Sequence, residues 1–287
     1  MSVEKEDLEE IKVNNLSLRV FSSFFLILLI SCLFFKDNFF FPIIIHSLIS
    51  LSIWEFLRLL NYRNSSKISS DRGNFFLSRQ RLNSSDFAVI ILINLFISSI
   101  IFDFFIISLV LFISLLSIFF FFKEKLSKLI GILYVSSPYC ILIILSRDFH
   151  YQDFLILIFF YAVSTDTSSF LVGRLVKGWK IAPTISPGKT ISGSIGGIII
   201  PSILSLLFFT ETYDSVVLII VTSIIFSLTV QIGDLLESYF KRVCFVKESS
   251  NLIPGHGGVL DRFDGLALLI VFVYILKLLN FNFYFIV

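Results

Sequence analysis

Between residues 238 and 264 the chain reads SYFKRVCFVKESSNLIPGHGGVLDRFD, crowding together Lys241, Arg242, Lys247, Glu248, His256, Asp261, Arg262 and Asp264. Such a cluster is costly here, because 56% of the chain is hydrophobic and only 15% is charged. In lipid, ionisable side chains are rare and mark functional sites. The Pro-Gly-His-Gly-Gly run among them carries bare backbone amides that can approach an anion closely. Cations for phosphate, carboxylates for a metal and a glycine-rich turn point to phosphoryl or nucleotidyl transfer inside a membrane protein.

Individual residues sharpen this. Asp234, Ser238 and Lys241 fall at i, i+4 and i+7, along one helical face, with Glu237 adjacent. Snorkelling to the interface accounts for Lys241 and Arg242, but not for Asp234, which lies seven residues deeper than Lys241. Asp261 and Asp264 are spaced i, i+3, and helix capping would account for one of them. Two carboxylates with Arg262 between them, just after a glycine-rich turn, fit a divalent-metal and phosphate site better. Magnesium is held by one or two carboxylates plus substrate phosphates and waters. The absence of a Cys/His cluster in the sequence argues against zinc. His256, flanked by glycines, is a site residue of unassigned role. Asp166, in YAVSTDTSSFLVGR, needs a partner or a metal in its apolar setting. The SPGKT run (186–190) resembles half of a phosphate loop but lacks the glycine five residues earlier. Lys189 with Gly193, Gly196 and Gly197 still offers a cation and a close backbone approach for phosphate.

The elements that must position these residues are apolar runs near the ~20 residues that a spanning helix needs. Nine spans are expected, at 16–35, 39–57, 87–102, 104–122, 129–146, 154–173, 194–209, 215–238 and 263–280. The fold class is therefore all-α, a polytopic integral membrane protein. A cytoplasmic tail (1–15) precedes a five-span region (16–153) and a four-span catalytic region (154–287). With the N-terminus in the cytoplasm and the C-terminus on the opposite side, every basic residue except Lys36, Arg147 and Lys277 faces the cytoplasm. That imbalance obeys the positive-inside rule. It also puts the charged segments near 174–193 and 241–262 on the side where nucleotides are. The acidic start differs from a signal peptide, so the first run is expected to be kept as a span. Cys32, Cys140 and Cys244 lack metal-ligand spacing and are expected to be small buried apolar residues without disulfides. The net charge of +2 is uninformative, and no nucleic-acid partner is expected.

The pattern Ser238-x-Phe240-Lys241-Arg242, then Lys247, then Pro254-x-His256-Gly257-Gly258-Val259-x-Asp261-Arg262-Phe263-Asp264 resembles the signature of phosphatidate cytidylyltransferases, also called CDP-diacylglycerol synthases. Upstream, Asp166-Thr167, Gly173-Arg174 and Ala182-Pro183-x-x-Ser186-Pro187-x-Lys189-Thr190 match in outline. Two positions depart from the family pattern. Glu248 stands where the family usually has Asp, and Ile191-Ser192-Gly193 stands where it usually continues Trp-Glu-Gly. The resemblance covers roughly residues 160–270.

The resemblance implies condensation of CTP with phosphatidic acid, giving CDP-diacylglycerol and pyrophosphate with Mg2+. It implies metal binding by Asp234, Asp261 and Asp264, with Asp166 as a further ligand. Lys189, Lys241, Arg242 and Arg262 would screen the phosphates, and the 255–258 turn, including Gly257 and Gly258, would donate backbone amides. Ser186, Ser238, Lys247 and His256 complete the implied substrate contacts. Membrane lipids surround the spans, and a homodimer is what the resemblance suggests. The alternatives are a CTP-dependent enzyme acting on another lipid phosphate or a polyprenol, an ion-coupled transporter using the four aspartates, and an inactive relative. Substituting Asp264→Asn separates the classes: a synthase loses turnover, a transporter loses ion-driven flux, and an inactive relative changes in neither assay.

Overall fold

The computed structural model describes residues 21–24, 26–35, 40–66, 82–101, 113, 126–148, 150–209, 215–253 and 257–279. A short apolar helix, α1 (Phe21–Leu33), is followed by α2 (Phe40–Ser66), α3 (Ser84–Ile101), α4 (Leu126–Leu145) and α5 (Tyr151–Val176). A hairpin of β1 (Lys180–Ala182) and β2 (Ser186–Thr190) leads into α6 (Ile191–Phe209), α7 (Val216–Val243) and α8 (Leu260–Leu278). Six helices among the described residues, α2 to α7, are long and apolar enough to cross a membrane. Their outward faces expose large apolar side chains such as Ile91, Ile130, Val163, Ile199 and Val221, a surface suited to lipid. The protein is thus an all-α polytopic integral membrane protein. The expected fourth span, apart from Ile113, lies outside the described residues, as do the tail 1–15 and His256.

Helix ends run past the sequence expectation at the polar side. α2 continues to Ser66, and α7 carries Lys241 and Arg242 in its last turn. α8 begins at Leu260, so Asp261 and Asp264 both lie in its opening turns. The hairpin is the one regular element the spans did not anticipate. Its sequence carries Pro183 and Pro187, which lack the N–H that a helix interior uses, although Pro138 and Pro201 are accommodated inside α4 and α6. It forms instead an antiparallel pair with Lys180 opposite Thr190 and Ala182 opposite Ser186. Ile191 N–H donates to the Trp179 carbonyl at 2.9 Å and closes its base.

The chain divides into two compact units, residues 1–132 with 248–261, and residues 133–247 with 262–287. The boundary drawn from the sequence, between residues 153 and 154, follows span order and is a different division. In the first unit, buried polar groups tie the helices together. Lys128 pairs with Asp86 at 2.7 Å, and Asp86 also accepts from the Asn61 side chain (2.9 Å) and the Asn83 amide (3.0 Å). His46, Asn94, Ser50 and Ser98 form a second network between α2 and α3.

In the second unit, α5, α6 and α7 pack around small residues. A Cβ at Gly196 would overlap the Val172 side chain, and one at Gly197 would overlap Ser169 Oγ. Without a strong hydrophobic drive between helices in lipid, such close backbone approach is a main source of association. Gly196 and Gly197, expected to approach a phosphate, are used here to admit α5. Deeper in the unit, Tyr161 OH meets Ser223 Oγ at 2.7 Å, and Ser223 meets Ser205 Oγ at 2.5 Å, linking all three helices. Gly233 and Gly265 do the same for α7 and α8, since a Cβ on Gly233 would lie 2.9 Å from the Asp264 carbonyl oxygen. Substituting Gly197→Ala is expected to lower stability in detergent by about 1–3 kcal/mol through overpacking. Adding Ser169→Gly, which removes the clashing hydroxyl, should recover most of the loss in the same thermal melt.

Candidate active site

The second unit holds a cavity of about 570 Å³, within the range of small-molecule sites. Its carboxylates are Asp166, from α5, and Asp234, from α7. Its cations are Arg174, Lys177, Lys180 and Lys189, from the end of α5 and from the hairpin. Local sequence explains how they come together. Lys177 (φ 60°) and Gly178 (φ 113°) leave helical space, so α5 stops and the chain turns back as the hairpin. Thr190 then caps α6, its Oγ1 accepting the Gly193 N–H at 3.1 Å. The hairpin is thereby anchored at both ends and holds Lys189 over the cavity.

Lys189 forms an ion pair with Asp234. Asp264 lies within electrostatic reach of both Asp234 and Asp166, so three of the expected carboxylates converge. Lys189 and Arg262 act on Asp166, and Lys241 acts on Asp264. Among the described residues no group of three or more His, Cys, Asp or Glu side chains is disposed to hold a metal unaided. On the cavity wall Gln231 and Ser194 bind each other: Ser194 Oγ donates to the Gln231 side-chain oxygen, and Gln231 Nε2 donates to the Ser194 carbonyl at 3.2 Å. The nearby Ser169 hydroxyl is buried with no hydrogen-bond partner among the described residues.

Other expected residues are placed differently. Lys241 pairs with Glu237 one turn earlier at 3.2 Å, both nearly buried. Ser238 Oγ lies 3.5 Å from Asp234 Oδ1, a long contact. Arg242 donates from Nε to the Ile185 carbonyl (2.9 Å) and from Nη1 to the Val246 carbonyl (3.0 Å), bracing the hairpin turn. Ser186 sits opposite Ala182 in the hairpin, while Lys247 and Arg262 are exposed.

In the first unit, Asp261 Oδ2 accepts from the Ser249 amide, the Ser249 hydroxyl and the Gly258 amide, each at 2.9 Å. The Gly258 amide, expected to meet a phosphate, is given to Asp261 instead. Gly257 adopts φ 82°, where a side chain would be strained and its Cβ would lie 2.7 Å from Asp261 Oδ2.

Sequence reasoning left Gln231, Ser194, Arg174, Lys177 and Lys180 out of the site and gave Glu55, in the first unit, no role. The polar Gln231 and the ionisable Glu55 both sit inside apolar runs, which was the available signal. The three cations lie in the charged segment near 174–193, where the positive-inside rule accounts for basic residues as well as a phosphate site does.

A sequence model of the Cytidylyltransferase family matches residues 17–279. A phosphatidate cytidylyltransferase of Staphylococcus haemolyticus is 46% identical over 118 residues, 40% of this chain and 43% of that protein. One from Rickettsia conorii is 36% identical over 158 residues, covering 52% and 69%. Another, from Rickettsia bellii, is 40% identical over 149 residues, covering 49% and 64%. The chain thus spans between about two fifths and two thirds of the curated relatives it matches.

Arg242 supplies two charge-assisted bonds to carbonyls that lysine cannot reproduce together. In Arg242→Lys, amide hydrogen exchange in the 180–190 hairpin should quicken by about tenfold, the effect of losing one such bond. Exchange in α5 and α6 should stay as it was.

Proposed function

The chain belongs to the cytidylyltransferase family, and from that premise we propose that it transfers the cytidylyl group of CTP to phosphatidic acid at the bilayer surface. One observation carries the proposal: the cavity that joins Asp166, Asp234 and Lys189 to Arg174, Lys177 and Lys180 on helices of a membrane protein. Two polyanions must meet there, so charge neutralisation and positioning dominate the chemistry. A phosphate oxygen of the lipid attacks the α-phosphorus of CTP and forms the new P–O bond. The bond from that phosphorus to the oxygen bridging the α and β phosphates breaks, and pyrophosphate leaves with the electron pair. No strong general base is needed, since the second pKa of a phosphate monoester is about 6.

The residues divide the work by chemistry. Arg174, Lys177 and Lys180 bind the β and γ phosphates, Arg174 being able to do so with two parallel bonds. Lys189 neutralises charge that builds on the reacting phosphate. Asp166, Asp234 and Asp264 are suited to Mg2+: three mutually repelling carboxylates gain from a divalent cation, and none of them forms a ready cage. An ion completing its shell from phosphate oxygens and water matches the habit of magnesium. Bound there, it would supply Lewis-acid polarisation of the phosphate oxygens. Lys241, Arg262 and Ser238 surround the same carboxylates at longer range. The apolar helix faces let the acyl chains stay in lipid while the headgroup enters. CTP is cytosolic, so the cavity faces the cytoplasm, with the N-terminus on the same side. A homodimer remains part of the proposal from family resemblance alone.

The test uses the purified chain in nanodiscs with radiolabelled CTP and phosphatidic acid. Label should enter the chloroform phase, stop with EDTA and resume on adding Mg2+. Asp234→Asn should lower kcat by at least about 100-fold, the scale of losing a group aimed at transition-state charge. Arg174→Gln should chiefly raise KM for CTP, by about tenfold, as loss of one charged phosphate contact. Folded protein with no transfer would sink the proposal in favour of another lipid acceptor.

A further inference from the structure

Glu55 is buried to 0% exposure in α2, where Arg58, one turn on in the same helix, lies within its electrostatic reach. Its hydrogen-bond partners come from about two hundred residues further along. Oε1 accepts from the Ser250 hydroxyl (2.6 Å) and the Val259 amide (3.0 Å). Oε2 accepts from the Ser249 hydroxyl (3.0 Å) and the Leu260 amide (2.8 Å). With Asp261 taking the amides of Ser249 and Gly258, two carboxylates satisfy the backbone donors of residues 258–260 and of Ser249.

These donors belong to the start of α8, where N–H groups have no intrahelical acceptor. A carboxylate there is favoured by the positive end of the helix dipole. Glu55 is therefore a helix cap supplied from another helix. The same geometry explains Gly258: a Cβ at that position would lie 2.5 Å from both Glu55 oxygens. One of the glycines read from the sequence as a phosphate cradle is thus required to admit Glu55.

We propose that Glu55 is a positioning residue for the transfer reaction: it fixes the entry of α8 and so sets where Arg262 and Asp264, two and four residues beyond Leu260, are held. The inference rests on the transferase reading of the site. Glu55 itself touches no substrate. Its contribution is to turnover rather than to nucleotide affinity, because the residues lining the CTP cavity come from other segments.

The experiment compares the wild-type chain with Glu55→Gln, Glu55→Asp and Ser250→Ala in nanodiscs, by steady-state kinetics and amide hydrogen exchange. Glutamine keeps the shape but sets an NH2 group against an N–H donor, since its amide nitrogen cannot accept. Glu55→Gln should speed exchange at residues 258–261 and lower kcat by about 10- to 100-fold, the scale seen when an orienting partner is lost. KM for CTP should stay within about threefold, as for loss of an interaction felt only at the transition state. Ser250→Ala, which leaves the carboxylate and both amide bonds in place, should show a smaller loss of the same kind. Glu55→Asp should lie between wild type and Glu55→Gln. Unchanged exchange at 258–261 in Glu55→Gln overturns the inference, as does faster exchange with unchanged kcat. A fall in activity that only tracks the folded fraction in all three variants overturns it too. Absence of transfer by the wild type would instead sink the transferase reading, while the exchange arm would still report whether Glu55 holds the helix entry.

Discussion

A charge inside an apolar chain survives only where other groups stabilise it, and this protein is organised by that requirement. Leaving a buried carboxylate without partners costs several kcal/mol even after relaxation, so each one gathers donors or a cation. Asp86 takes Lys128 and two amides, Glu237 takes Lys241, Asp148 takes Lys277, and Asp234 takes Lys189. Glu55, with Arg58 in electrostatic reach, and Asp261 are held chiefly by hydroxyl and backbone donors at a helix start. The distinction matters for function. Ion pairs can exchange partners when a charged ligand arrives, whereas a carboxylate bonded to four fixed donors stays where it is.

Helices and several site residues were legible because both follow from local pattern. Apolar run length identified α2 to α8, with ends within about five residues except at the C-terminus of α2, which runs on to Ser66. Asp166, Asp234 and Asp264 stood out because a carboxylate in such surroundings needs a reason. Pairings between distant segments were not legible. Lys241 was read with Asp234 on a helical face, yet Glu237, on the same helix, is its partner. Arg242 reads as one more phosphate cation until the Ile185 and Val246 carbonyls are seen beside it. Gly258 reads as a phosphate cradle until Glu55 is brought against it. The Ile185 and Glu55 contacts come from distant segments that no local window contains, whereas Glu237 and Val246 lie within about one turn and only the packing selects them. Glu55 obeys the same rule as Asp166, an acid inside an apolar run, but its hydrogen-bond partners lie about two hundred residues away in the chain.

Glycine carries three different meanings in this chain, and only structure separates them. At Gly196, Gly197, Gly233 and Gly265 it lets membrane helices approach closely. At Gly178 and Gly257 it supplies a backbone conformation that side chains avoid. At Gly258 it makes room for a carboxylate from another helix. On sequence alone, Gly196, Gly197, Gly257 and Gly258 are all assigned to anion binding.

The pairing of Lys189 with Asp234 bears on how a nucleotide would enter. In the protein alone the two groups neutralise each other in the lining of a cavity that also carries Arg174, Lys177 and Lys180. A triphosphate competes for the lysine, and a divalent cation competes for the aspartate. Either ligand alone leaves one member of the pair exposed to an unfavourable field, because Asp166 and Asp264 lie close by and repel a bare carboxylate. Both together satisfy both members at once. Linkage then requires that each ligand tighten the binding of the other by the same factor. On the proposed reading, a site that takes a triphosphate at Lys189 and a divalent cation at Asp234 would favour the metal–nucleotide complex over either component.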